Sequence, residues 1–194
     1  MKSYREEGLG KRAQILVDEL VAAGIGSKSV LEIGAGIGAL NLELVKGGAS
    51  HSISIDASSA NVTTAVELAE ELGLDDRSDR CFGDFVEVQD QIESADIVLL
   101  DRVICCYPNL SALVGAAGEK TKLYCGLTYP RRTWWGRASF WMLNVFQALR
   151  RHPFRVYMHS PTDIELVLKG KGLTRIFTGH AGFWEVAIFE TVSR

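Results

Sequence analysis

The feature that most constrains the fold is an apolar stretch, Val30–Leu40, that is interrupted by three alternate glycines. Its first part predicts a buried strand, Gly34, Gly36 and Gly38 predict a tight turn, and the apolar residues that follow predict a helix. Glycine tolerates positive φ and lets backbone approach a ligand without a Cβ in the way. Such a turn is either a plain βα connection or a cradle whose N–H groups and helix end face a polar ligand.

Segments with the patterns of strands and helices alternate along most of the chain, with short connections between them. The predicted strands are 29–33, 52–55, 80–83, 96–100, 122–127, 174–179 and 184–192. The predicted helices are 5–23, 37–46, 59–72, 109–118, 134–152 and 161–170, with a short helical piece at 86–92. This alternation predicts a doubly wound parallel sheet. The last two strands, with only His180–Phe183 between them, predict an antiparallel hairpin at the sheet edge.

We therefore expect residues 1–194 to form one Rossmann-like α/β domain. Its doubly wound, seven-stranded sheet should be mostly parallel, with an antiparallel C-terminal strand. The N-terminal part, 1–26, contains the amphipathic helix, whose apolar residues recur every three or four positions. Packing against the sheet is the plain role of this helix, and lining the mouth of a cofactor or substrate site is the alternative.

Polar residues end four successive predicted strands. The glycine loop follows the first strand, while Asp56, Asp84 and Asp101-Arg102 end the next three. Glu32 adds an acid two residues before the first glycine, inside the strand. Because the carboxyl ends of parallel strands meet at one edge of a sheet, where ligands bind, these residues predict a single binding site.

Two classes of cofactor fit a glycine loop on a parallel sheet. A dinucleotide site takes the spacing GxGxxG, and Ala39 stands here at the position of the third glycine. Alanine is permitted at that position, so the loop by itself does not choose between the classes. The acid Glu32 and the C-terminal hairpin favour a cofactor other than a dinucleotide.

On these features the sequence resembles the class I S-adenosylmethionine-dependent methyltransferases. The matching motifs are Leu31–Gly38, Ile55–Ser58, Gly83–Phe85 and Asp96–Val103, in the family's order along nearly the whole chain. The region Asp101–Pro108 and a Trp-rich segment are similar to small-molecule methyltransferase-domain proteins, with a fainter likeness to magnesium-protoporphyrin O-methyltransferases.

The resemblance implies S-adenosylmethionine as the cofactor and suggests roles for the strand ends. Glu32 would help to hold the amino group, Asp56 would accept from the ribose hydroxyls, and Asp84 would accept from the adenine amino group. Asp101 and Arg102 would lie beside the methylthio group. The remaining cofactor-binding residues that it implies are Gly34, Ala35, Gly36, Gly38, Ala57, Ser58 and Phe85. Each acid also has a purely structural interpretation. Glu32 would accept hydrogen bonds from loop amides, and Asp56 would cap a helix. Asp84 would stabilise a turn, and Asp101 would pair with an arginine.

Methyl transfer from a sulfonium is an in-line displacement, in which positioning can supply on the order of 7–11 kcal/mol. No general base stands out, and Tyr107, His159 and His180 are weak candidates. We expect a small, partly apolar acceptor, with an anionic group as an option and O-methylation slightly favoured. The alternatives are an NAD-dependent oxidoreductase and a non-catalytic S-adenosylmethionine-binding or regulatory module.

The segment 131–155, which follows the fifth strand, carries six arginines and no acidic residue. Its pattern predicts a helical insertion with a wide apolar arc that bears three tryptophans and a narrow polar stripe opposite. Pro153 should prevent the helix from continuing. The stripe consists of Arg137, Asn144, Gln147 and Arg151. A lid over the acceptor is the first interpretation, and a subunit contact in a homodimer or contact with a membrane surface are the others.

Composition excludes several classes of protein. The chain is 47% apolar and 23% charged, which is typical of a soluble domain. Its four cysteines, Cys81, Cys105, Cys106 and Cys125, lack metal-ligand spacing, so we expect reduced thiols and no metal site. Without a signal core or a long apolar run, we expect a cytoplasmic protein with no transmembrane segment. The net charge of −3 and the lack of an Asn/Asp-Pro-Pro-Tyr/Phe motif argue against nucleic acid as a partner.

Overall fold

The structure is a computed structural model that describes residues 2–152 and 154–192. Its strands β1–β7 are Ser29–Ile33, His51–Asp56, Ser78–Phe82, Ala95–Asp101, Thr121–Pro130, Leu173–Ala181 and Trp184–Thr191. Its helices α1–α8 are Lys2–Glu7, Lys11–Ala22, Ala39–Lys46, Ser59–Leu72, Phe85–Val88, Leu110–Lys120, Trp134–Leu149 and Pro161–Gly170. Short 3-10 turns occupy Asp75–Arg77, Gln89–Gln91 and Ile104–Cys106.

The seven strands form one sheet in the order β3-β2-β1-β4-β5-β7-β6. Strands β1 to β5 are parallel, and β7 runs antiparallel to both of its neighbours. The fold class predicted from the sequence is therefore confirmed. The strand order reverses at β1 and β4, and the crevice beyond their carboxyl ends is where ligands bind in open α/β sheets.

The central strands are buried because helices cover both faces of the sheet. Alternate residues point to opposite faces. Val30 and Ile97 pack in the same core as α2 and α3, whereas Leu31 and Val98 pack in the core that contains α6 and α8. This double burial explains why β1 and β4 are almost continuously apolar in sequence.

The prediction of a single N-terminal helix over 5–23 is wrong. It is divided into α1 and α2 by Gly8, whose φ of 71° lies in the left-handed region, and by Gly10, which caps α2. Two glycines within three residues make a continuous helix costly at this point. In α2, Leu16 and Leu20 are fully buried against the sheet.

Other boundaries differ because tertiary pairing lengthens the strands. The fifth strand, predicted to end at residue 127, continues to Pro130, since its last residues pair with the start of β7. The turn between β6 and β7 shortens to Gly182 and Phe183. Of the helix predicted over 134–152, the part Trp134–Leu149 is observed as α7. Pro153, which was predicted to end the helix, lies outside the described residues. In the ranges that the structure describes, no helix has both the length and the apolar character needed to cross a membrane.

Candidate functional site

Three adjoining cavities lie at the carboxyl ends of β1, β2 and β4, and all three border Gly34. The first cavity has a volume of about 220 Å³ and lies between Asp84 and Phe85 on one side and Leu113 on the other. The second, of about 390 Å³, borders Glu32 and the glycine loop. The third, of about 710 Å³, opens toward Trp184. The strand-end residues predicted to form one site are thus brought together.

The glycine loop forms the shared wall of the cavities. At Gly34, φ is 65° and an added Cβ would lie 2.4 Å from the Cγ2 atom of Val103, so no side chain fits there. At Gly36, φ is 57° and the space beside the backbone is open. The loop therefore packs tightly on one side and leaves its backbone accessible to a ligand on the other.

Asp56 holds this loop in place at the end of β2. Its Oδ2 atom accepts a hydrogen bond from the Gly36 N–H at 2.8 Å. Its Oδ1 atom accepts from the Ser58 N–H at 2.8 Å and from the Asn61 side chain at 3.1 Å. An ionised carboxylate has about four acceptor sites, so these three bonds leave one for a ligand. Asp56 also borders the first and third cavities, as does Ala57.

Glu32 is a buried carboxyl group that borders the second cavity and has no cationic partner among the described residues. Its Oε2 atom accepts a hydrogen bond from the Asn41 N–H at 3.1 Å. Burial raises the pKa of Glu32 well above its ordinary value, and the negative charges of Asp101 and Asp56 raise it further. A ligand cation in the second cavity would stabilise the ionised form of Glu32.

Asn41 lies directly behind the site and is not among the residues predicted from the sequence. It is fully buried in α3, and neither its Oδ1 nor its Nδ2 atom has a partner within the described chain. An added Cβ on Gly38 would lie 3.6 Å from that Oδ1 atom, so the side chain sits directly behind the glycine loop. Because polar residues are common in helices, its position in α3 gave no signal in the sequence.

Asp101 is paired with an arginine from the N-terminal part of the chain. The Nε and Nη2 atoms of Arg12 donate to its two oxygens at 2.6 and 2.7 Å, and the Thr128 hydroxyl donates to it as well. The Arg12 guanidinium also lies over the Trp184 ring at 5.4 Å. Helix α2 packs on the sheet, and its first turn borders the second cavity. That it lines a cofactor or substrate site stays a prediction.

Arg102 follows with a backbone conformation that is rare for a residue with a side chain. Its φ is 60°, and its N–H donates to the Thr128 hydroxyl at 2.9 Å. The side chain is exposed at the border of the second and third cavities. Left-handed backbone at a non-glycine residue costs on the order of 1–3 kcal/mol and is commonly found at functional sites.

The first cavity is an apolar slot with a carboxylate at its edge. Phe85 and Leu113 form its walls, and Asp84 caps α5 by accepting from the Val86 N–H at 3.0 Å. The hydroxyl of Tyr107 lies 3.2 Å from each oxygen of Asp84. Burial raises the pKa of Tyr107, and the negative charge of Asp84 raises it further. The first cavity therefore combines apolar walls with one acceptor carboxylate.

Two adjacent thiols line the third cavity. The Sγ atoms of Cys105 and Cys106 are 3.8 Å apart, and Cys106 is exposed. The hydrogen bond from Cys105 lowers the pKa of Cys106 to about 7, and the positive charge of Arg102 contributes to this shift. Trp184 and Phe154 complete the wall and were not anticipated from the sequence.

The three weak candidates for a general base are separated in the structure. Tyr107 borders the first cavity, on the side of Asp84. His159 contacts the carbonyl oxygen of Tyr107 at 2.9 Å and borders none of the three cavities. His180 lies exposed on β6, opposite Glu185 of β7. A catalytic role for any of them stays a prediction.

Solved structures share this fold over nearly the whole chain. Magnesium protoporphyrin IX methyltransferase from Synechocystis PCC 6803 with bound SAH matches with a TM-score of 0.74 and 21% identity, covering 97% of this chain and 92% of that one. The same enzyme with bound SAM gives 0.70 and 20%, with coverage of 92% and 79%. An O-methyltransferase family protein from Burkholderia thailandensis gives 0.73 and 15%, with coverage of 93% and 56%.

No protein-family model matches the chain, and no curated protein matches its sequence. At identities of 15–21%, the structural matches carry information on the fold alone. That information agrees with the resemblance found in the sequence motifs. The chain has the fold of the S-adenosylmethionine-dependent methyltransferases of class I.

Proposed function

We propose that this chain is a methyltransferase that binds S-adenosylmethionine (SAM) and transfers its methyl group to a small acceptor in the third cavity. The observation that carries the proposal is the buried carboxyl group of Glu32, which faces the second cavity beside the glycine loop without a cationic partner among the described residues. SAM carries a cationic amino group and a sulfonium that would stabilise the ionised form of Glu32, whereas the pyrophosphate of NAD offers this acid no positive charge.

The three cavities match the parts of this cofactor. The slot at Asp84 and Phe85 would hold the adenine, and the remaining acceptor site of Asp56 would take a ribose hydroxyl. Glu32 would bind the amino group in the second cavity. Bound in this way, SAM supplies an electrophilic methyl group. Arg102 borders both the second and the third cavity, and it marks the place where donor and acceptor would meet.

The third cavity supports a partly apolar acceptor with an acidic group. Trp184, Phe154 and Val103 provide apolar surface, and the exposed guanidinium of Arg102 provides positive charge. Oxygen is the favoured nucleophile in this proposal, because an acidic oxygen near an arginine is partly ionised without a protein base. Catalysis would then rest on positioning rather than on proton transfer. In this function, residues 1–194 would act as one cytoplasmic methyltransferase domain with 131–155 as an insertion, and nucleic acid would not be a partner.

Binding of S-adenosylhomocysteine (SAH) and of NAD, measured by thermal shift, separates this proposal from an oxidoreductase. A ligand at 100 times its dissociation constant stabilises the native state by about 2.7 kcal/mol. We expect SAH to raise the melting temperature and NAD to leave it unchanged. Glu32→Gln should weaken SAH binding by about tenfold or more, since a lost charge-assisted hydrogen bond is worth roughly 1.5–3 kcal/mol.

Glu67→Gln is the matched control, because Glu67 is an exposed acid on α4 away from the three cavities. It should bind SAH like the parent protein. Stabilisation by NAD alone would overturn the proposal. A protein that binds SAH but never converts SAM to SAH with any small-molecule fraction would instead be a non-catalytic binding module.

A further inference from the structure

Helix α7 exposes its apolar face. The exposed fractions of Trp134, Trp141, Met142 and Leu149 are 83%, 69%, 64% and 79%. These side chains share the wide apolar arc of the helix with Val145 and Phe146, which are also exposed. Within the described structure, Gly136 is the one buried residue of α7. None of its residues borders the three cavities, so the arc does not cover the candidate site.

The polar stripe of α7, in contrast, faces the protein in part. The Asn144 side chain donates to the Val156 carbonyl oxygen at 2.8 Å and accepts from the Val156 N–H at 2.9 Å. Gln147 is half-buried beside it. A helix on the surface of a water-soluble protein normally buries its apolar stripe and exposes its polar one. Helix α7 instead leaves its apolar arc exposed and half-buries Asn144 and Gln147 of its polar stripe, while Arg137 and Arg151 stay exposed. The exposed arc indicates an apolar environment outside the protein.

The charge around the helix is of one sign. Six arginines and no acidic residue occur in 131–155, and the sequence contains no acid between Glu119 and Asp163. The chain as a whole has a net charge of −3, so this segment is a basic region on an acidic protein. Arg150 lies over the ring of Phe146 at 4.2 Å, which places positive charge directly at the edge of the apolar arc.

We infer that α7 is an interfacial helix that docks the protein on an anionic lipid bilayer, with its apolar arc in the membrane surface and its arginines among the headgroups. Exposed tryptophans and aliphatic side chains flanked by arginines are the composition that such helices require. A second copy of the chain fits less well, because a symmetric contact would place the arginine-rich surface against itself. Nucleic acid would pair with the arginines but leave Met142 and Leu149 in water.

The docked helix would bring the acceptor cavity to the membrane. Phe154, which follows α7, borders the third cavity, and the Tyr157 N–H donates to the Cys105 carbonyl oxygen at 2.8 Å. At the other end of α7, the ring of Trp135 contacts Phe183, the residue before Trp184 of the cavity wall. If the proposed function holds, the acceptor is an amphiphile that enters the third cavity from the bilayer.

Flotation with lipid vesicles tests the docking. We expect the protein to float with vesicles of equimolar phosphatidylcholine and phosphatidylglycerol, to stay behind with phosphatidylcholine alone, and to be released by high salt. The double variant Trp134→Ser/Trp141→Ser should reduce the vesicle-bound fraction about tenfold. Leu149→Ser should reduce it by a smaller factor. The matched control is Leu166→Ser on α8, whose side chain is 69% exposed but lies outside the basic segment.

Three outcomes would overturn the inference. The first is no binding of the parent protein to anionic vesicles. The second is equal binding by the Leu149→Ser and Leu166→Ser variants and the parent. The third is a dimer or a nucleic-acid complex, seen by sedimentation, that the tryptophan substitutions abolish while vesicle binding is absent. SAH binding measured on the same samples keeps the two proposals apart, since docking requires no SAH and SAH binding requires no vesicles.

Discussion

Helices α2 and α7 have the same kind of sequence pattern and opposite packing. Both are amphipathic, yet α2 buries Leu16 and Leu20 against the sheet whereas α7 leaves Trp141 and Leu149 exposed. The difference extends to the site that they flank. On the side of α2, the acid Asp101 is fixed by Arg12, while on the side of α7 the third cavity carries the exposed Arg102 and the exposed thiol of Cys106. A periodic pattern predicts which residues share a face, but not what that face contacts.

The largest expected effect compares the two apolar faces directly. Leu16→Ala should lower the free energy of unfolding by about 2–5 kcal/mol, because it leaves a cavity in the core. Leu149→Ala should change it by less than about 0.5 kcal/mol, because its side chain already contacts solvent. Urea denaturation of both variants in the absence of lipid measures the difference. Equal losses would mean that α7 is packed against the protein in solution, and the comparison would fail.

The second prediction concerns the buried acid on the α2 side. A carboxyl group whose pKa is raised by folding costs stability as the pH rises above its unfolded value, since the native state holds a proton that the unfolded state has lost. For Glu32 that ordinary value is 4.5, and burial raises it well above this. We therefore expect Glu32→Gln to be more stable than the parent, with a gain that grows as the pH increases from 4.5 toward neutrality.

Urea denaturation across this range of pH measures the gain, and Glu67→Gln again serves as the exposed control. A gain that is independent of pH, or one that is largest in acid, would contradict the assignment of Glu32 as a buried acid. Adding SAH at neutral pH should reduce the amount by which the free energy of unfolding of Glu32→Gln exceeds that of the parent, because the ligand stabilises the parent more than the variant.

Much of the fold follows from local pattern. The sequence predicted β1 with its observed bounds, since a strand buried on both faces reads as an unbroken apolar run. It predicted that Asp56, Asp84 and Asp101 would lie at one edge of the sheet, because parallel strands bring their carboxyl ends to the same edge. The N-cap of α4 is Ser58, one of two adjacent serines that the sequence places just before the apolar stripe of this helix. These features depend on neighbours in sequence or on the topology of the sheet.

The remaining features depend on contacts between distant residues. Arg12 reaches Asp101 across 89 positions of sequence, and only the packing of α2 brings them together. Asn41 lies in α3 with two other polar residues, and the helical pattern does not tell which of them is buried behind the glycine loop. The orientation of α7 depends on two contacts with residues outside the helix, Asn144 with Val156 and Trp135 with Phe183. The helical pattern alone does not predict these contacts.

The smallest expected effect concerns the thiols on the α7 side, where Cys106 should be the most reactive cysteine of the protein. Its pKa is lowered to about 7 from an ordinary 9.0, whereas the pKa values of Cys81, Cys105 and Cys125 are raised. Because the thiolate is the nucleophile, iodoacetamide should alkylate Cys106 first, with a rate that is half-maximal near pH 7. Peptide mass spectrometry after timed labelling locates and quantifies the adduct.

The hydrogen bond from Cys105 is the main cause of this low pKa, so Cys105→Ala should move the half-maximal rate toward pH 9.0. Cys81→Ala removes a thiol outside the three cavities and should leave the profile unchanged. SAH should slow the labelling, because Cys106 borders the first cavity as well as the third. Labelling that favours Cys81, or a rate that is half-maximal near pH 9.0 in the parent, would contradict the assignment of Cys106 as a reactive thiol. The α7 side of the site would then differ from the α2 side in exposure but not in reactivity.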